Sequence, residues 1–104
     1  MEFAPHTNPE LWGKTFRKNS EVLSRRIAGE MFLVPLKGKL ANMQNIFTLN
    51  RVAEHIWDEL ETNSLDSICD SVINTFDVER GQAETDIREF ITELLKAKLI
   101  QEKA

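Results

Sequence analysis

The sequence lacks several features that whole classes of protein require. It has one cysteine in 104 residues, so an internal disulfide is excluded and a reducing compartment is expected. Its longest apolar runs, such as "MFLVPL" at residues 31–36, are far too short to span a bilayer. The N-terminus shows no basic segment followed by an apolar one, so no secretory signal is expected. These absences predict a cytoplasmic protein with no membrane partner.

Side chains that support catalysis or metal binding are also sparse. The four glycines form no phosphate-binding loop. Cys69 falls in an apolar helical stripe, which is typical of a buried and inert thiol. His6 and His55 are far apart and have no histidine or cysteine at ligand spacing, so His55 is interpreted as a core-flanking or surface residue. The sequence therefore predicts no catalytic residue, no metal site and no cofactor.

Positive charge is scarce in the second half of the chain, and the net charge is −4. Residues 51–104 carry six Lys or Arg against thirteen Asp or Glu, whereas residues 1–50 carry seven against four. An acidic surface repels the phosphate backbone, so a nucleic-acid partner is not expected. The acidic half fits either an ordinary solvated surface or a surface that steers a basic partner.

What is present is a series of short strands followed by helices. We interpret residues 1–19 as an N-terminal appendage with a short helix from Pro9 to about Trp12, and residues 20–104 as one domain. Trp12 and Phe16 indicate that the appendage docks on another part of the protein. The segments "EVLSRRIA", "MFLVPL" and "IFTL" predict three strands, and the short turns between them predict an antiparallel meander.

Three amphipathic helices are predicted after the third strand. Asn50 is a candidate N-cap for the first, and apolar spacing places the second at Leu65–Phe76. The third spans about residues 79–98, and Ile91 and Leu95 widen its apolar stripe on one side. That width is common in a buried helix, but it also fits the wall of a groove left exposed for a ligand.

One function that fits this architecture is DNA binding by a winged-helix transcriptional regulator. The second and third helices would then form the helix-turn-helix, and a basic wing could come from Arg25, Arg26, Lys37 and Lys39. However, the second helix carries no cation and the third is rich in carboxylates. Because base readout and phosphate contacts depend on cationic and amide side chains, the charges disfavour DNA.

The other function is peptide recognition. An open sheet edge is a template for an added strand, and pockets beside the edge distinguish the alternate side chains of that strand. If the third strand is an edge strand with the third helix alongside, Ile91 and Leu95 line one wall of a groove. Ile46 or Phe47 then lines the other wall.

Three segments in this order, "TLNRVAEHIWDEL", "LDSICDSVINTFDV" and "AETDIREFITELLKAKLI", carry a resemblance to a known family. They resemble the PqqD family, the small proteins of pyrroloquinoline quinone (PQQ) biosynthesis and the related precursor-peptide recognition domains. The resemblance covers about residues 20–101. The matching positions are Leu49-Asn50, Ala53, Ile56, Trp57, Leu65, Ile68, Phe76-Asp77-Val78, Asp86-Ile87, Phe90-Ile91 and Leu94.

The resemblance implies a winged-helix-like α+β fold, in which a three-stranded antiparallel sheet precedes three helices, and no enzymatic activity. It implies a non-catalytic adaptor that captures the leader of a ribosomally made precursor peptide by strand addition. The adaptor would present this leader to a radical S-adenosylmethionine (SAM) enzyme, in PQQ biosynthesis or a related pathway, as a monomer or a homodimer. The implied peptide contacts are Ile46, Phe47, Thr48, Arg88, Ile91 and Leu95.

Two features depart from the family pattern. Lys98 precedes Leu99-Ile100 where the family often has glycine, so we expect the third helix to end differently. Residues 1–19 lie outside the resemblance, and we expect them either to fold over the groove or to exchange between subunits.

Overall fold

A computed structural model describes residues 9–35 and 47–103, which form an α+β fold. The helices and strands, in chain order, are α1 Pro9–Trp12, β1 Phe16–Lys18, β2 Val22–Ile27, β3 Glu30–Pro35, β4 Phe47–Leu49, α2 Arg51–Glu59, α3 Leu65–Phe76, α4 Arg80–Lys96 and β5 Ile100–Glu102. The predicted fold class, with three antiparallel strands before three helices, is confirmed.

The three-stranded sheet has the order β2-β3-β4, and both of its pairings are antiparallel. Ile27 pairs with Glu30, so a two-residue turn connects β2 and β3. Ala28 and Gly29 in this turn have φ angles of 53° and 85°. Positive φ at both central residues is the type I′ pattern, which matches the right-handed twist of the flanking strands.

The sequence did not predict a second, two-stranded sheet in which β1 pairs antiparallel with β5. Beside this sheet, the Asn19 N–H donates to the Leu99 carbonyl oxygen over 2.8 Å. Trp12 and Phe16 are each 2% exposed and belong to the main core. The described part of residues 1–19 therefore pairs with the C-terminal strand rather than with β4.

The core lies mainly between the three long helices, and each begins or ends at a recognisable signal. The Asn50 side chain accepts a hydrogen bond from the Ala53 N–H over 2.8 Å, which confirms Asn50 as the N-cap of α2. Ser64 caps α3, which ends at Asp77 in the left-handed conformation. Helix α4 contributes Ala83, Ile87, Ile91 and Leu94 to the core. None of the helices described for residues 9–35 and 47–103 has the length and apolarity needed to cross a membrane.

Helix α4 ends as a helix closed by glycine would, although the lysine at position 98 led us to expect a different ending. Lys98 adopts the left-handed conformation, with φ of 63°. Its N–H bonds to the Leu95 carbonyl oxygen, and the Leu99 N–H bonds to that of Leu94 over 2.9 Å. This is the Schellman pattern that glycine usually closes, completed by the burial of Leu94 and Leu99. The hydrogen bonds and the burial of both leucines therefore offset the steric cost of a lysine at positive φ.

Candidate functional site

Strand β4 lies at one edge of the three-stranded sheet. Phe47, Thr48 and Leu49 pair with Leu33, Phe32 and Met31 of β3. Within residues 9–35 and 47–103, no strand pairs with the other side of β4. Main-chain N–H and C=O groups along such an edge are ready to bond an added strand.

A groove of about 300 Å³ runs between β4 and α4. Phe47, Thr48 and Leu49 form its strand wall, and α2 supplies apolar side chains next to it. The helix wall comes from one stripe of α4. The complete lining is Phe47, Thr48, Leu49, Asn50, Val52, Ala53, Ile56, Asp86, Glu89, Phe90 and Glu93.

The helical repeat explains which α4 side chains reach the groove. Asp86, Phe90 and Glu93 follow one another at spacings of four and three residues, which puts them on one face. Phe90 is half-buried and packs against the edge of the core, whereas Glu89 and Glu93 are exposed. The groove wall is therefore an aromatic ring flanked by carboxylates.

The structure places the six sequence-predicted contacts in different parts of the molecule. Phe47 and Thr48 line the groove as expected, and Ile46 lies outside the described residues. Ile91 is 1% exposed and belongs to the core, so its predicted position on an exposed groove wall is wrong.

Arg88 and Leu95 also lie away from the groove. Leu95 is 40% exposed, but it lines a separate cleft with Arg17, Lys18 and Lys98 near the β1–β5 sheet. Arg88 stands about 200° around the helix from Phe90, at about 100° per residue. The core stripe of α4 thus separates both residues from the groove. The sequence prediction placed the groove on the wrong flank of the α4 stripe. Periodicity identifies an apolar stripe, but it does not show which of its flanks faces the sheet.

Sequence reasoning missed the groove residues Asp86, Glu89, Phe90 and Glu93. Phe90 continues the apolar stripe of α4 and packs against the core with one side. The charge pattern allows these carboxylates either an ordinary solvated surface or a surface that steers a basic partner. Their regular spacing was visible in the sequence, but only the position of β4 shows that they border a groove.

Comparison with known proteins identifies the family. The family model for coenzyme PQQ synthesis protein D (PqqD) matches residues 30–100. The chain belongs to the PqqD family. A solved structure, TbiB1 in complex with the TbiA(beta) leader peptide, is similar to this PqqD family member with a TM-score of 0.67 and 26% identity. The similarity covers 85% of this chain and 98% of that one. No curated protein sequence matches the chain.

Elsewhere in this PqqD family protein, a cluster of His55, Glu59 and Ser71 resembles a catalytic arrangement only in composition. The His55 Nε2 atom is 2.7 Å from the Ser71 hydroxyl and 3.2 Å from a Glu59 carboxylate oxygen. A catalytic triad needs the serine and the carboxylate on different ring nitrogens, so that one is a base while the other orients it. Here both partners meet Nε2, and the Phe76 ring lies nearly perpendicular to the imidazole, with 5.3 Å between the ring centroids. This geometry favours a structural role.

Cys69 is fully buried, and burial raises the pKa of its thiol. A raised pKa keeps the group as the neutral thiol, which is the unreactive form. Among the described residues, no group of three or more His, Cys, Asp or Glu side chains is arranged to hold a metal ion. The groove beside β4, by contrast, combines an open strand edge with side-chain pockets.

Proposed function

We propose that this protein is a non-catalytic adaptor that captures the leader of a ribosomally made precursor peptide by strand addition at β4. The observation that carries the proposal is the open edge of β4 beside a groove that α4 completes. Membership of the PqqD family and similarity to TbiB1, whose structure contains a leader peptide, support it.

Strand addition accounts for the two parts of the groove. The edge of β4 supplies main-chain hydrogen bonds, which set the register of the peptide and part of its affinity. Alternate side chains of an added strand point to the same face, so every second leader residue meets the α4 wall. The proposed contacts are Ile46, Phe47 and Thr48 on the strand side, with Phe90 in place of Ile91 on the helix side.

We also propose a partner enzyme and a pathway for this adaptor. The adaptor presents the bound leader to a radical SAM enzyme, which performs the chemistry, in PQQ biosynthesis or a related pathway. We keep the cytoplasm as the proposed compartment, because a ribosomally made precursor is synthesised there. A complex of adaptor, leader peptide and enzyme on size-exclusion chromatography would support the enzyme partner; co-elution of leader and enzyme that the adaptor does not change would oppose it.

Titration of the isotope-labelled protein with the leader peptide of its pathway's precursor tests the site. Amide resonances of Phe47–Leu49 and of residues 86–93 should shift, whereas a shuffled leader of the same composition should leave them unchanged. Shifts confined to the β1–β5 sheet or the Leu95 cleft would remove the groove as the site.

The DNA-binding alternative gains no support from the structure. The groove flank of α4 presents Asp86, Glu89 and Glu93, which would repel phosphates. Of the candidate wing residues, Arg26 forms an ion pair with Glu54 of α2, and Lys37 and Lys39 lie outside the described residues. We expect a flat gel-shift titration with duplex DNA at low salt, and salt-dependent binding would revive this alternative.

A further inference from the structure

The groove beside β4 is also acidic. Its helix wall carries the carboxylates of Asp86, Glu89 and Glu93, and none of the described residues that line it is basic. Asp86 accepts a hydrogen bond from the Gln82 side chain over 2.8 Å, so part of its bonding capacity is already used. Glu89 and Glu93 are exposed and one helical turn apart. These two side chains therefore dominate the charge of the helix wall.

The dimensions of the two walls match. Residues 86 to 93 cover about 10 Å along a helix axis. Residues 47 to 50 cover about 10 Å of extended chain. Glu89 and Glu93 are separated by about 6 Å along the helix axis, and every second residue of a strand advances by about 6.6 Å. Two side chains at positions i and i+2 of an added strand thus have the spacing of the two carboxylates.

We infer that the groove selects a leader segment with two basic residues at positions i and i+2, which pair with Glu89 and Glu93. The inference rests on the proposed function, because it assumes that a strand is added at β4. The two basic side chains point to the same side of the strand and toward the helix wall. Their alkyl stems lie against the Phe90 ring while their charged ends reach the carboxylates.

A random peptide library, displayed on phage and selected on the whole protein, provides the probe. Peptides that shift the Phe47–Leu49 and Phe90 resonances are kept as groove binders. We expect them to be enriched in Lys or Arg at i and i+2. Selection on the E89Q/E93Q double variant should lose this enrichment, because the variant keeps the shape of both exposed side chains and removes their charge.

Synthetic versions of one selected peptide then measure the effect. Replacing both basic residues by Gln should weaken binding about three- to tenfold at low salt, since exposed ion pairs contribute modestly and are screened. Moving one of them to i+1 keeps the composition but turns it to the opposite face, and should weaken binding similarly. With E89Q/E93Q these differences should fall below about twofold.

A control separates the two carboxylates from the general acidity of the protein. The D66N/E79Q variant loses the same two charges at exposed positions outside the groove. It should retain the preference for basic peptides, and an equal loss in both double variants would overturn the inference.

Failure of the inference can be told from failure of the proposed function. Groove binders without a basic i, i+2 pair would overturn the inference and leave strand addition standing. A selection that yields no peptide able to perturb β4 or Phe90 would overturn both.

Discussion

Strands β2 and β4 form the two edges of the same sheet, yet their surroundings differ. Strand β2 has six residues and is exposed from Leu23 to Ile27. Leu23 is 38% exposed and Ile27 is 52% exposed. Strand β4 has three residues, and its last one, Leu49, is 5% exposed and belongs to the core. A helix wall stands beside β4, and the groove between them is lined by side chains of both.

This difference shows why an open edge is not in itself a binding site. The main-chain groups of both edges lack a strand partner in the described part of the chain. Strand β2 carries Arg25 and Arg26, and charges along an edge discourage the addition of another strand. Strand β4 has a groove beside its edge, and pockets beside an edge are what distinguish one added strand from another. Selectivity therefore requires the combination of edge and helix, which the β4 side provides.

The largest expected effect is on stability, and it shows how firmly each edge strand is anchored to the core. Leu49→Ala should lower the free energy of unfolding by about 2–5 kcal/mol, because it leaves a cavity in the core. Leu23→Ala makes the same chemical change on β2 and should cost less than about 1 kcal/mol, since Leu23 is partly solvated. Urea denaturation followed by tryptophan fluorescence measures both. Similar losses in the two variants would mean that β2 is anchored as firmly as β4.

The second test compares the edges as binding surfaces. Phe90→Ala should weaken leader-peptide binding about tenfold, about 1.4 kcal/mol, because it removes an aromatic contact from the groove. Ile27→Ala removes an exposed apolar side chain from β2 and should change the affinity less than about twofold. Calorimetric titration measures the affinity of each variant for the leader peptide. An equal loss in the two variants would move the site, or part of it, to the β2 edge.

The elements of the fold could largely be predicted because their signals are local. Loose alternation predicted β2, a short apolar run predicted β3, helical spacing predicted α3, and Asn50 marked the start of α2. The pairing of β1 with β5 could not be predicted, since it joins residues far apart in the chain through three-residue strands. So short a segment carries too little alternation to distinguish a strand from a loop.

The candidate site was predictable only on its strand side. Phe47 and Thr48 were expected to border a groove, and they do. On the helix side, Ile91 was expected to be exposed and is buried, whereas Phe90 reaches the groove. Adjacent residues of a helix differ by about 100° in direction, so the choice between them depends on how α4 is rotated against α2 and α3. That rotation is set by tertiary packing.

A third prediction concerns the point where the β4 edge joins the helices. Asn50→Ala should lower the free energy of unfolding by about 1 kcal/mol, because the Ala53 N–H loses its acceptor. It should also weaken leader binding, since Asn50 lines the groove. Ser64→Ala removes the cap of α3 and should reduce stability similarly while leaving the affinity unchanged. Denaturation measures the stability of both variants, and calorimetry measures their affinity for the leader. If Ser64→Ala loses as much affinity as Asn50→Ala, the weaker binding of Asn50→Ala follows from lower stability alone.

The smallest expected effect comes from a substitution that stabilises β2, the edge strand that we do not expect to bind the peptide. Ala28 has a φ of 53° in the type I′ turn between β2 and β3, a conformation that asparagine tolerates better than alanine. Ala28→Asn creates the favoured Asn-Gly turn and should raise the free energy of unfolding by about 0.5 kcal/mol, whereas Ala28→Val should lower it. Thermal denaturation measures both shifts. Leader affinity should stay the same in both variants, because the turn stabilises β2 whereas the proposed function has the peptide add to β4. An affinity that rises and falls with the stability of this turn would show that the whole hairpin takes part in binding, and the contrast between the two edges would then fail.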